Sequence, residues 1–298
     1  MKILVSGLLN IETTVSVRGF PINYYPIDYP FFGVNSNASG VGLNIAKALS
    51  ALGDDVDLLS FLGNDDEAKR IISELECDSI STEHIRQSLK NTPVSVVLFD
   101  PQGKRQIYCD LKDIQDQLID PAEEKHALES SDAAVLCNIN FNRELVKAAR
   151  RSGVLTATDV HVLSSTDDDY NRDFMENADI LFLSDEKLPC GPEDFIMQLY
   201  ERYHNKIIVL GMGAKGAMLF ESDSGEMTLV PAYTDVKVVN TIGAGDALFS
   251  SFLHFYVKSG NAKQALKRAV IFAGIKIGTN GASLGFCSEQ KIERIVSG

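Results

Sequence analysis

Cysteine, histidine and long apolar runs are all scarce in this 298-residue chain. Its five cysteines are scattered, and no two have the spacing of a zinc finger or a redox motif. We therefore expect free thiols in a reducing compartment and no zinc enzyme. No apolar stretch is long enough to span a bilayer, and residues 1–7 have the pattern of a buried strand instead of a signal peptide. These features predict a cytoplasmic protein that does not enter a membrane.

Positive charge is also scarce. Lysine and arginine together number 28 against 41 aspartates and glutamates, which leaves a formal net charge of −13. A chain with this charge is repelled by nucleic-acid backbones and by acidic membrane surfaces, so neither is expected as its main partner. A nucleotide can still bind if the site supplies its own donors and a metal ion.

Short apolar runs alternate with longer segments of helical periodicity. Together they indicate a mostly parallel sheet covered by helices on both faces. The predicted strands are Lys2–Ser6, Val56–Phe61, Ala133–Cys137, Val154–Thr158, Ile180–Leu183 and Ile207–Leu210. The predicted helices are Gly42–Leu52, Asp66–Cys77, Arg143–Arg151, Pro192–Tyr203, Asp246–Val257, Ala262–Gly278 and Ser288–Val296.

Two parts of the chain break this rhythm and predict a second, smaller sheet. Ile11–Arg18 alternates between apolar and polar residues, as a strand with one buried face does. Pro93–Asp100 and Arg105–Asp110 flank a Pro-Gln-Gly-Lys turn, which is typical of a hairpin. The small sheet would turn one face to a ligand. The alternative is an edge hairpin without a function.

The most informative run is a glycine turn that opens into an apolar helix, Asn240-Thr241-Ile242-Gly243-Ala244-Gly245-Asp246. Small residues allow an anionic ligand to approach the backbone, and the first N–H groups of the helix would point at that ligand. A carboxylate beside an anion hole is a poor choice for simple phosphate binding. Asp246 is better explained as a base that takes a proton from a hydroxyl attacking a bound phosphoryl group.

This run resembles the C-terminal signature of the ribokinase-like (PfkB) family of sugar and nucleoside kinases, D-T-x-G-A-G-D. The resemblance covers nearly the whole chain. It implies one domain, residues 1–298, with a three-layer α/β/α fold and a small β-sheet lid formed by segments of about 11–36 and 93–110. It also implies ATP-dependent phosphorylation of a sugar hydroxyl, with Mg²⁺ bridging the phosphates, and a homodimer through the lid.

The resemblance assigns roles to residues. Asp246 is the expected base, and the N–H groups of Gly243, Ala244 and Gly245 are the expected anion hole. A second block, residues 38–53, is similar to the family's N-terminal signature, with Ser39 in place of its first glycine. The expected sugar contacts are Gly40, Gly42, Asn44, Asp246 and Glu12, the last standing where the family commonly has aspartate.

Residues 211–216 spell G-x-G-x-x-G after a predicted strand, but residues 217–220 are too short for the helix of a dinucleotide site. The Ser-Asp-Ser-Gly turn at residues 222–225 predicts a hairpin there instead. A P-loop motif is absent. The family resemblance instead implies that Gly211 and Gly213 lie beside the ATP phosphates. The other expected nucleotide contacts are Ser184, Thr241, Gly243, Gly245, Asn280 and Gly281.

Three positions depart from the family pattern. The N-x-x-E stretch linked to magnesium aligns with residues 184–187, where Asp185 or Glu186 would have to substitute. Asn240 replaces the aspartate that helps to hold a monovalent cation in members with such a site, which puts potassium activation in doubt. His161 falls where many members have asparagine, and it either meets the nucleotide and its magnesium or is a structural residue.

The sequence leaves the acceptor open. Aromatic residues are dense in the loop Tyr24–Phe32, and they would either stack on a sugar or a base or fill a dimer interface. A nucleoside kinase of the same fold is therefore an alternative. A sugar- or nucleotide-sensing relative without turnover is another, because Ser184, Lys187 and Asn240 depart from the family pattern, although Asp246 argues against it.

Overall fold

The computed structural model describes residues 1–297, which form two β-sheets and the helices that cover one of them. The strands are β1 (Lys2–Ser6), β2 (Asn10–Ser16), β3 (Val34–Ser39), β4 (Asp55–Leu62), β5 (Ile85–Gln87), β6 (Val94–Phe99), β7 (Arg105–Asp110), β8 (Ala133–Leu136), β9 (Leu155–Val162), β10 (Ile180–Ser184), β11 (Ile207–Gly211), β12 (Ala217–Glu221) and β13 (Glu226–Val230). The helices are α1 (Val41–Leu52), α2 (Asp66–Cys77), α3 (Lys125–Glu129), α4 (Arg143–Ser152), α5 (Arg172–Asn177), α6 (Pro192–Tyr203), α7 (Ala244–Ser259), α8 (Ala262–Lys276) and α9 (Glu289–Ser297).

The main sheet has nine strands in the order β13-β12-β11-β10-β9-β8-β1-β4-β5. Every pair from β5 to β11 is parallel, and the hairpin of β12 and β13 extends the sheet in antiparallel fashion. Parallel strands need crossover connections, which the helices provide. The predicted mostly parallel sheet is therefore confirmed, as is the hairpin after β11 that argued against a dinucleotide site.

Two apolar cores lie on opposite faces of this sheet. Ile3 and Val5 of β1 belong to the core under α1, α2, α7, α8 and α9, whereas Leu4 belongs to the core under α3, α4, α5 and α6. Successive strand residues point to opposite faces, so an uninterrupted apolar strand serves both cores. This arrangement confirms the three-layer α/β/α fold.

Local signals in the sequence explain where several helices begin and end. The Asp65 carboxylate accepts the Ala68 N–H at 3.0 Å and caps α2. Gly53 ends α1 with φ of 98°, in the left-handed region that glycine tolerates. α7 begins at Ala244, two residues before the predicted start, and α8 ends at Lys276, two residues before the predicted end.

The predicted small sheet is present and has four strands in the order β3-β2-β6-β7. Three residues separate the end of β1 from the start of β2, and β2 pairs with β3 in antiparallel and with β6 in parallel fashion. Glu12 and Thr14 share the face that carries Val97 of β6, and Val97 packs against Ile242 and Ala282 of the main body. This face is therefore turned toward the glycine turn.

Candidate active site

The candidate site lies at the carboxyl edge of the main sheet, beside the small sheet. β1, β8, β9 and β10 are neighbours and run in the same direction, so the residues at their ends meet at one edge. Gly7 follows β1 and contacts Cys137, which follows β8, while Asp159 lies near the end of β9. Ligands of open α/β sheets bind at this edge, where the strand order reverses on either side of β1.

The glycine turn before α7 has a shape that only glycine permits at its centre. Gly243 has φ of 76°, and a Cβ there would lie 2.6 Å from the Ala282 carbonyl oxygen. The Ala244 N–H donates to the Thr241 oxygen at 3.2 Å. Gly245 is exposed, with nothing within 4 Å of the position of a Cβ. The positive end of α7 therefore faces open space at the sheet edge.

Asp246 lies in the first turn of α7, and neighbouring side chains fix its carboxylate. The Asn44 amide, buried on α1, donates from Nδ2 to Asp246 Oδ2 at 2.7 Å. Ser39 Oγ lies 3.4 Å from Asn44 Oδ1 and donates to it, which sets the orientation of the amide. Ser39, which departs from the family's glycine, is thus linked to the expected base through Asn44.

The pKa of the Asp246 carboxyl is raised from its ordinary value. Burial is the largest cause, and the charge of Asp159 acts in the same direction. The hydrogen bond from Asn44 and the positive charges of His161 and Lys276 oppose the rise. A carboxylate with a raised pKa binds a proton more strongly, which suits a general base that must still be ionised near neutral pH.

Glu12 faces Asp246 from the small sheet. Burial raises the pKa of the Glu12 carboxyl, and the negative charge of Asp246 raises it further. A hydrogen bond with Ser39 and the charge of Lys276 lower it. Glu12 is half-buried, and its charge acts on Lys276 beside the candidate site, whereas its contact with a sugar stays a prediction.

Gly40 and Gly42 bring α1 against the end of β1. A Cβ on Gly40 would lie 2.3 Å from the Leu8 oxygen, and one on Gly42 would lie 2.8 Å from the Gly7 carbonyl carbon. The Gly42 N–H also donates to the Leu8 oxygen at 3.0 Å. Both glycines therefore permit a close approach of protein backbone, and their contact with a sugar stays a prediction.

His161 belongs to the site. Its ring Nδ1 lies 3.5 Å from Asp159 Oδ2, and its backbone N–H donates to Asp159 Oδ1 at 2.8 Å. Burial lowers the pKa of the imidazole, but the charges of Asp159 and Asp246 raise it to about 9. The ring is therefore protonated at neutral pH and adds positive charge beside Asp246.

Lys276 is a site residue that the sequence reasoning missed. It is fully buried, and its Nζ donates to the Gly281 oxygen at 2.6 Å. Burial lowers the pKa of the ammonium to about 8, against the opposing charges of Asp246 and Glu12. The sequence does indicate its burial, because Lys276 follows Phe272 by four residues and Ala269 by seven. This spacing places all three on one face of the helix, and a lysine among apolar residues on a buried face is unusual.

The predicted nucleotide contacts fall into two groups. The first lies at the ends of β10 and β11, where the Asp185 N–H donates to the Gly211 oxygen at 3.0 Å. Ser184 precedes Asp185, and Gly213 begins a short 3₁₀ turn with φ of 55°. Lys215 Nζ in that turn lies 4.0 Å from Asp185 Oδ2.

The second group surrounds the glycine turn. Gly281 is buried, and Ala282, the residue after it, contacts Gly243. Asn280 and Thr241 are exposed on either side. The structure thus brings together the predicted contacts from α7 and from the end of α8.

The described residues contain no group of three or more His, Cys, Asp or Glu side chains that would hold a metal ion by themselves. Asp185 lies near Lys215, and the exposed Glu186 lies 3.5 Å from Arg105 of the small sheet. Scattered carboxylates of this kind fit a divalent ion that arrives already bound to phosphate oxygens. Residues 1–297 also include no helix long and apolar enough to cross a membrane.

Curated relatives of the chain are sugar kinases. Over 269 residues it is 23% identical to fructosamine kinase FrlD of Bacillus subtilis, which covers 90% of this chain and 92% of the relative. Over 311 residues it is 25% identical to the deoxyribokinase of Salmonella typhi, which covers 100% and 99%.

Solved structures share the fold. A microbiome-derived acarbose kinase superimposes with a TM-score of 0.88 at 22% identity, covering 100% of this chain and 99% of the other. The ribokinase of Arabidopsis thaliana, solved with ribose and ATP, superimposes with a TM-score of 0.81 at 18% identity, covering 99% and 98%. The sequence profile described as pfkB family carbohydrate kinase matches residues 2–289. Because this match spans almost the whole chain, the protein belongs to the PfkB family of carbohydrate kinases.

Proposed function

We propose that the protein transfers the terminal phosphoryl group of ATP to a hydroxyl group of a sugar, with Asp246 as the general base. The observation that carries this proposal is the position of Asp246, directly behind the glycine turn and held at 2.7 Å by Asn44. Asp246 takes the hydroxyl proton as the sugar oxygen bonds to the γ-phosphorus. The bond from that phosphorus to the bridging oxygen breaks, and ADP leaves.

The N–H groups of Gly243, Ala244 and Gly245 stabilise the charge that develops on the transferred group. Support comes from the positive end of α7 and from the open space beside Gly245. The Ala244 N–H donates to Thr241 in this structure, so its use requires that bond to be exchanged.

Substrate residues lie on the side of the small sheet. Glu12 accepts hydrogen bonds from sugar hydroxyls, and Asn44 orients Asp246 while it borders the same space. Gly40 and Gly42 hold the start of α1 in place. The relatives named above act on sugars of several kinds, which supports a sugar acceptor without choosing one.

The nucleotide is MgATP, bound between the two groups of predicted contacts. Ser184, Gly211 and Gly213 line one side, and Thr241, Asn280 and Gly281 line the other. Asp185 or Glu186 would help to hold the magnesium ion that the nucleotide brings, and the ion would neutralise charge on the phosphates. Carboxylates and phosphate oxygens are the ligands that Mg²⁺ prefers.

The small sheet acts as a lid. It carries Glu12 over Asp246, and Arg105 on β7 lies 3.5 Å from Glu186 of the main body. Closure excludes water from the phosphoryl group, so that ATP is not hydrolysed without an acceptor.

The loop of residues 19–33 belongs to the far end of the lid. The Gly33 oxygen of this loop accepts the backbone N–H of Ser16. Ser16 lies four residues along β2 from Glu12, a distance of roughly 13 Å in an extended strand. The side chains of Tyr24 and Phe31 are 88% and 83% exposed. This position favours a dimer interface over stacking on the substrate, and we therefore place the contact of a homodimer there.

The first experiment measures ADP release from MgATP across pentoses, hexoses, sugar phosphates, sugar acids and nucleosides. Asp246→Asn should lower turnover at least ~100-fold, the lower range for loss of a general base, while ATP still binds. Asp223→Asn, in the exposed turn between β12 and β13, is the matched control and should keep full activity. Full activity in Asp246→Asn would refute its role. Activity confined to nucleosides would favour the nucleoside kinase, and silence across the panel would favour the sensor.

A further inference from the structure

A buried positive charge lies beneath the candidate site, and within residues 1–297 no carboxylate is its hydrogen-bond partner. Lys276 is fully buried at the end of α8, and its ammonium donates to the neutral carbonyl of Gly281 at 2.6 Å. Lysine is almost never fully buried without a partner of opposite charge, because removing an ammonium from water is costly. The presence of a lysine at this buried position therefore calls for a functional explanation.

The charges that act on this ammonium are those of the site itself. They belong to Asp246 on α7 and Glu12 on the small sheet, and both favour the charged form of Lys276. In return, Lys276 lowers the pKa of both carboxyls. The ammonium thus helps to keep the expected base ionised although it is buried.

The ammonium also holds backbone that shapes the glycine turn. It binds the Gly281 oxygen, and the next residue, Ala282, lies against Gly243. Gly243 accommodates this contact only because it lacks a Cβ. Lys276 is therefore linked to the expected anion hole through the backbone of Gly281 and Ala282.

The residues here do not fit an added monovalent cation. Asn240 carries no charge, and its Oδ1 already accepts the Ile242 N–H at 2.8 Å. The Gly281 oxygen is likewise taken by Lys276. The Asn240 Oδ1 atom that would have to bind a cation is thus already hydrogen-bonded within the glycine turn. The ammonium of Lys276 already supplies a positive charge nearby.

We propose that Lys276 is a positioning residue that supplies the fixed positive charge of this site, so that catalysis needs no added potassium. The proposal rests on the proposed kinase function. The ammonium acts through the Gly281–Ala282 backbone on the glycine turn and through its field on Asp246. A covalently attached charge does not depend on the concentration of an ion in solution, whereas the occupancy of a bound ion does.

Kinetics test the proposal with Lys276→Met, which keeps most of the length of the side chain but removes the charge and the donor. Lys267→Met, on the exposed face of the same helix, is the matched control. We expect wild-type rates in potassium chloride and in tetramethylammonium chloride to agree within about twofold. We expect kcat of Lys276→Met to fall at least ~10-fold, because both the anion hole and the ionised base lose support, and removal of a single direct donor to the developing charge already costs more than this.

The pH profile separates a charge effect from mere loss of structure. Without the ammonium the pKa of Asp246 rises, so the acidic limb of kcat/KM should move to higher pH in Lys276→Met. The wild type should also lose activity as pH rises through about 8, where Lys276 loses its proton. Lys276→Met should lack this step and keep only a loss near pH 9, where His161 loses its proton. An unchanged acidic limb, or strong potassium activation of the wild type, would overturn the proposal.

A second readout needs no turnover. Titration of the Lys276 amine by NMR should give a lower pKa in Asp246→Asn than in the wild type, because the Asp246 carboxylate favours the charged ammonium. An unchanged Lys276 pKa overturns this proposal whatever the sugar panel gives. A silent sugar panel with the pKa change present overturns the proposed function instead.

Discussion

At the scale of single residues, the site is a set of charges that adjust one another. The charge of Asp246 raises the pKa of Glu12, and the charge of Asp159 raises the pKa of Asp246. Lys276 lowers the pKa of both carboxyls, and His161 lowers that of Asp246. Asn44 contributes a hydrogen bond to the ionised form of Asp246. The pKa of the expected base is therefore set by neighbours from α1, α8 and β9, which no single motif contains.

Asn44→Ala tests this tuning. The lost donor no longer favours the ionised carboxylate, so the pKa of Asp246 should rise and the acidic limb of kcat/KM should move to higher pH. In Asn44→Ala, kcat/KM at pH values within the acidic limb should fall several-fold more than kcat/KM on the plateau at higher pH. The comparison is a pH–rate profile of both proteins on the best sugar.

Asn91→Ala, at an exposed position before β6, serves as the control and should leave the profile unchanged. If the acidic limb of Asn44→Ala coincides with that of the wild type, Asn44 does not tune Asp246.

At the scale of elements, the start of α7 depends on two glycines with different physical roles. Gly243 has positive φ and lies against the Ala282 backbone, so its requirement is steric. Gly245 has ordinary φ and open space around its Cβ position, so the fold makes no steric demand there. The same motif therefore contains one residue needed for the turn and one that borders the expected phosphate.

Alanine substitutions separate these roles. Gly243→Ala should lower the free energy of unfolding by at least about 1–2 kcal/mol, the cost of a left-handed conformation alone. Gly245→Ala should leave it unchanged or raise it by up to ~1 kcal/mol, because alanine is the better helix former. Denaturant unfolding measures both values.

Activity should nevertheless fall in Gly245→Ala, because its methyl group would enter the space assigned to the transferred phosphoryl group. A Gly245→Ala enzyme with normal kcat would place the phosphate elsewhere. Equal stabilities of the two variants would contradict the steric role of Gly243.

At the scale of the whole molecule, the small sheet joins the main body at one end and carries exposed aromatic residues at the other. Val97 packs on Ile242 and Ala282 beside the site. The aromatic side chains of residues 24–32 are among the most exposed apolar groups of the described chain. Large exposed apolar patches commonly mark contact surfaces.

Light scattering tests the homodimer. For the wild type we expect twice the mass of one chain. Tyr24→Ser combined with Phe31→Ser should yield monomers that are still folded, because both side chains are exposed within one chain and do not belong to its core. Tyr170→Ser, a change to a partly exposed tyrosine on the main body, is the control. A monomeric wild type would refute dimerisation through the lid.

The sequence by itself determined the parallel sheet, the helices on both faces, the hairpin after β11 and the position of Asp246 in the first turn of α7. These features depend on local periodicity, turn residues and short motifs, which act between neighbours in the chain. The polar strand β3 escaped prediction because Asn35, Ser36 and Asn37 have little strand propensity, and only its pairing with β2 orders it.

Only the tertiary structure decided which charges meet at Asp246. Lys276 lies 30 residues beyond Asp246 and Glu12 lies 234 before it, and no local pattern relates them. Their effect on the pKa of one another depends on burial and distance in space, which arise when α8, β2 and α7 pack at one sheet edge. The sequence therefore sufficed for the fold and the expected base, whereas the electrostatics of the site are a property of the packed chain.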